Sequence, residues 1–159
     1  MKEWILLLCV FAVTAYLVVT AWEDHKTCKE TRWKHLIGGI PAIFLCFVDF
    51  SRYSWEENAM IAAFSILYIV LGFVGVYGFA DGLVLAVLTM FFGSIGGVVG
   101  SGAVLLIAII ASFSFLFCHV VKNIVSKRKI FQNMAGAFIP HILVGYVSVS
   151  VAILMSVLT

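Results

Sequence analysis

The chain is expected to fold as an all-α bundle of transmembrane helices, and three observations point there. Hydrophobic residues make up 64% of the 159 residues and charged residues 11%, whereas soluble domains run at about 45–50% apolar. Several apolar stretches approach or exceed the length that crosses a hydrocarbon core about 30 Å thick. The few Lys and Arg residues gather in two clusters between such stretches. Nearly all of the chain would lie in lipid as a single integral-membrane domain, 1–159, with no room for a soluble domain.

Six spans follow in order along the sequence. The first, 4–21, runs without a charge until Glu23 and Asp24 close it. The second, 35–50, is short and contains Pro41, which a span tolerates when neighbouring helices re-satisfy the freed backbone groups. The third, 59–76, precedes a glycine-containing turn, and the fourth, 82–99, opens directly after Asp81. The stretch "GSIGGVVGSG", 93–102, reads as the turn into the fifth span, 102–121; Gly96 and Gly100 have the spacing that permits close helix approach. The sixth, 134–158, carries Pro140 near its start.

Orientation follows from Lys and Arg. Lys26, Lys29, Arg32 and Lys34 follow the first span, and Lys122, Lys127, Arg128 and Lys129 follow the fifth. With six spans these eight fall on one side, against Lys2 and Arg52 on the other. The richer side is the cytoplasm, so both termini are expected outside. Lys2 and the apolar run after it imitate a signal peptide, but the run is long for one.

Cys9, Cys28, Cys46 and Cys118 form no CxxC pair and no zinc spacing, and His25 and His35 match no familiar metal motif. No metal or cofactor is expected, nor any nucleic-acid partner. The chemistry lies in the carboxylates. A charge at the centre of a bilayer costs at least about 2.5–3.5 kcal/mol, so such residues face water, pair or react. Topology alone puts Asp24, at the end of the first span, and Asp81, at the start of the fourth, in the same leaflet. Two carboxylates that meet can share one proton. One then activates a water and the other polarises a carbonyl. The plainer readings are a solvated charge for Asp24 and a helix cap for Asp81.

"GFADGLVLAVLTMFFG" resembles the second-aspartate motif of the type IV prepilin peptidases and archaeal preflagellin peptidases, with Gly78, Phe79, Ala80 and Asp81 in the place of the GxGD signature, in its variant with alanine before the aspartate, and Gly82 directly after it. Asp24 in "WEDHKTCKETR" stands where the family has its first aspartate, before a basic loop, and Pro140 to Gly145 resembles a C-terminal family segment. The resemblance implies a short, peptidase-only membrane aspartic endopeptidase with Asp24 and Asp81 as catalytic residues. Its substrate would be a prepilin-like secreted protein, cut between a basic leader and an apolar helix at the cytoplasmic face, as in type IV pilus assembly. Glu23 and Glu30 are the acidic residues that would meet such a leader. Leu83 replaces a lysine common in the family, and the usual Ile-Pro-Asn after the first aspartate is absent, which bears on substrate preference. The alternatives are a non-catalytic relative that binds pilin-like helices and a small proton- or cation-coupled transporter component.

Overall fold

The computed structural model describes residues 3–27, 32–48, 52–126 and 137–158. Lys2, Cys28, Lys29, Glu30, Asp49, Lys127, Arg128 and Lys129, with the expected start of the sixth span at 134, lie outside them. Among the described residues all regular structure is helical: α1 (Glu3–Thr27), α2 (Arg32–Val48), α3 (Trp55–Val74), α4 (Phe79–Val125) and α5 (Ile139–Leu158). Helices satisfy their own backbone groups, as lipid requires. Three of these helices contain stretches apolar and long enough to cross a membrane: Leu7–Lys26, Trp55–Val74 and Phe79–Val125. The outer surface is apolar too, with Trp4, Phe11, Phe73, Phe113 and Phe117 all exposed. Soluble monomers rarely expose patches beyond a few hundred Å². Lipid is the solvent that suits this surface.

Hydroxyl groups solve the same problem locally. Thr20, Ser65, Thr89 and Ser94 each donate to the carbonyl four residues back, on Tyr16, Ile61, Leu85 and Met90. A polar side chain is thus paired within its own helix. α3 starts on a reciprocal cap: Ser54 Oγ accepts from Glu57 N–H at 3.2 Å, and Glu57 Oε2 accepts from Ser54 N–H at 3.0 Å.

The 47 residues of α4 would be about 70 Å long if straight, more than twice a hydrocarbon core. Instead the helix breaks at Gly96 and Gly97. Gly97 has φ 61° and ψ −144°, a conformation that side chains with a Cβ rarely adopt. Residues 98–125 then run back along 79–95. Ser101 Oγ donates to the Thr89 carbonyl, and a Cβ on Gly100 would collide with the Phe92 carbonyl. Gly100 is therefore the close contact of the expected Gly96/Gly100 pair, while Gly96 faces open space. Tyr53, just before α3, donates to the Ile95 carbonyl at 2.9 Å, which takes up an acceptor at the break.

α4 packs against α2, α3 and α5, and α1 against α2 and α5. Val13, Leu17, Leu85, Leu88, Ile107 and Ile142 fill the centre, each fully buried. Tyr16 OH lies 2.7 Å from His35 Nδ1 across α1 and α2, and Thr14 Oγ1 lies 2.9 Å from Tyr146 OH across α1 and α5.

Candidate active site

α1 continues past its apolar stretch, through Glu23 and Asp24 to Thr27. Asp24 follows Val13, Leu17 and Thr20 by eleven, seven and four residues, so it lies on the helix face that those buried residues define. It is itself only 8% exposed. Glu23, about 100° around the helix, is half-buried on a different face.

What holds Asp24 inside is the start of α5. An α-helix begins with N–H groups that have no partner within it. Here the Phe138 carbonyl accepts from His141 N–H at 2.9 Å and Ile142 N–H at 3.2 Å. Pro140 has no N–H to satisfy. The remaining donor, Ile139 N–H, bonds Asp24 Oδ2 at 3.0 Å, in a buried contact across 115 residues of sequence. A carboxylate there also faces the positive end of the helix dipole.

Asp81 is the third residue of α4. Its Oδ2 accepts Gly78 N–H at 3.0 Å, and its side chain is half-buried. The helix thus starts three residues before the expected 82, and Asp81 reaches back from inside its first turn to the N–H of Gly78 instead of standing ahead of the helix as its cap. The Phe79 ring packs at a tilt against Phe73 of α3, with centroids 4.6 Å apart. Ala80 and Leu83 are half-buried. Gly82 is required by close packing: an added Cβ would lie 2.6 Å from the Tyr68 carbonyl oxygen.

The two aspartates lie at the same end of the bundle, joined through one short step of chain. Tyr77, immediately before the Gly78–Gly82 motif, stacks on Phe138 at 5.7 Å. Phe138 precedes Ile139, whose N–H Asp24 holds. Phe115 from the second arm of α4 packs against the same Phe138 ring at 5.5 Å.

Residues that hydropathy overlooked complete this end. Ser114 Oγ lies 2.8 Å from His141 Nδ1. The Phe115 ring sits against both His119, at 4.5 Å, and His141, at 5.5 Å. The only sequence signal for them was the position of His141 directly after Pro140. Among the described residues no three His, Cys, Asp or Glu side chains converge as metal ligands. No known family, no curated protein and no solved structure matches this chain.

Proposed function

We propose that the chain is a membrane aspartic endopeptidase that removes the short basic leader of a prepilin-like protein at the cytoplasmic face. The observation that carries this reading is the meeting of the Asp24 end of α1 and the Asp81 end of α4 around Phe138 and Ile139. In this reading the two arms of α4 cross the membrane separately, giving six spans with both termini outside. The end holding Asp24 and Asp81 is then cytoplasmic, in keeping with the Lys and Arg bias.

The chemistry needs one proton shared between the carboxylates. The ionised one takes a proton from a water, whose oxygen attacks the scissile carbonyl carbon. The protonated one donates to the carbonyl oxygen. When the tetrahedral intermediate collapses, the C–N bond breaks and the amine leaves with a proton. Asp24, Asp81 and the Gly78–Gly82 turn are the residues assigned to this work.

A structural reading draws on the same bonds, because each carboxylate accepts a backbone N–H at a helix start. The test is co-expression with a substrate that carries a basic leader, a glycine and an apolar helix, with leader loss followed by gel shift and mass spectrometry. Asp24→Asn and Asp81→Asn should each abolish cleavage, and the double variant should add little, since a catalytic unit is strongly non-additive. Normal cleavage by either single variant refutes the reading.

A further inference from the structure

The start of α5 is gripped from two sides. Asp24 holds Ile139 N–H at 3.0 Å, and two residues later His141 Nδ1 lies 2.8 Å from Ser114 Oγ on the second arm of α4. Between them stands Pro140, whose ring locks its own φ near −65° and leaves the turn little freedom to flex. The Phe138 carbonyl ties the same turn together by accepting both His141 and Ile142 N–H. A shift of the His141 backbone must therefore carry Ile139 N–H with it, and the bond to Ser114 opposes such a shift. α5 packs against α1 and α4, and the titratable groups acting on His141 come from those two elements, Asp24 and His119.

We infer that His141 is a positioning residue for Asp24: its bond to Ser114 fixes the first turn of α5, and that turn fixes the carboxylate in one orientation. The inference rests on the peptidase reading for its consequence, but its physical content does not need a substrate. A helix that merely caps itself has no use for a second anchor on a different element. An aspartate that must present one oxygen to a water does, because displacements of about 1 Å are costly in catalysis.

Two measurements on the detergent-solubilised full chain test this. The first is amide hydrogen exchange at Ile139, with Leu85 and Leu88 in the core as folding controls. The second is leader cleavage, resolved into kcat and KM. Ser114→Ala and His141→Leu should each speed exchange at Ile139 about tenfold, as loss of one buried hydrogen bond implies, with the control amides unchanged. Cleavage should lose about tenfold in kcat with KM unchanged. His141→Asn, which restores a polar atom near the Nδ1 position, should recover most of both. The double variant Ser114→Ala/His141→Leu should be no worse than either single one. If His141→Leu fails to fold, Ser114→Ala carries the test alone. Unchanged exchange at Ile139 in Ser114→Ala overturns the inference, whatever cleavage does. Faster exchange in a protein whose wild type cleaves no prepilin leaves the positioning intact and overturns the peptidase reading instead.

Discussion

Replacing Asp24 by Asn and by Ala separates a cap from a catalyst. Asn retains a side-chain oxygen that can accept Ile139 N–H, and Asn caps helices about as well as Asp. The loss is then only the charge facing the α5 dipole, about 0.3–1 kcal/mol. Ala removes the acceptor from a site only 8% exposed. That leaves a buried N–H unpaired at about 1–3 kcal/mol. At roughly 2–4 °C per kcal/mol for a chain of this size, Asp24→Asn should melt within about 4 °C of wild type and Asp24→Ala up to about 12 °C lower. Turnover should follow a different order. Neither variant retains an ionisable group, so both should lose at least about 10²–10⁴ in kcat. The assay is prepilin cleavage per folded enzyme, with thermal melting in the same detergent. If Asp24→Asn cleaves at the wild-type rate while Asp24→Ala merely melts earlier, Asp24 is a cap and the dyad is wrong.

Reporter fusions after Arg32 and Arg128 should read cytoplasm, and fusions after Arg52 and at Thr159 should read exterior; an exterior signal at Arg32 puts Asp24 on the wrong side for leader cleavage. Glu23→Gln should keep most cleavage, because Glu23 lies on a different helix face from Asp24; loss of cleavage there with activity retained in Asp24→Asn would reverse the assignment. Gly82→Ala should destabilise by about 1–3 kcal/mol, because the new methyl would sit 2.6 Å from the Tyr68 carbonyl oxygen, and an unchanged melting temperature would contradict that packing. Tyr146→Phe should cost about 0.5–1.5 kcal/mol through loss of the Thr14 contact and leave cleavage per folded molecule unchanged.

The helices were legible where lipid dictates composition. The break in α4 was readable from "GSIGGVVGSG", because only glycine can supply both the reversal at Gly97 and the contact at Gly100. The end of α1 was harder to read. Glu23, Asp24, His25 and Lys26 look like a loop to hydropathy, yet the helix runs on to Thr27. The reason is tertiary: Asp24 is drawn inside by a donor 115 residues away, which no local pattern encodes. Ser114 and His141 were missed for the same reason. Each looks like a tolerated polar residue in an apolar stretch, and only packing of α5 on α4 makes them a pair. Asp81 was partly legible, since its bond to Gly78 lies within one turn.

The bond between Asp24 and Ile139 also sets a schedule for biogenesis. Synthesis adds about 5–20 residues per second, so roughly 6–23 s separate the emergence of the two partners. During that interval α1 has left the ribosome with a carboxylate near its C-terminal end whose partner on α5 has not yet been made. Until then Asp24 must remain at water or against lipid head groups, which anchors that end of α1 at the interface while the later helices insert. The residue assigned to cutting other proteins' leaders would thus first help to hold its own first helix at the right depth.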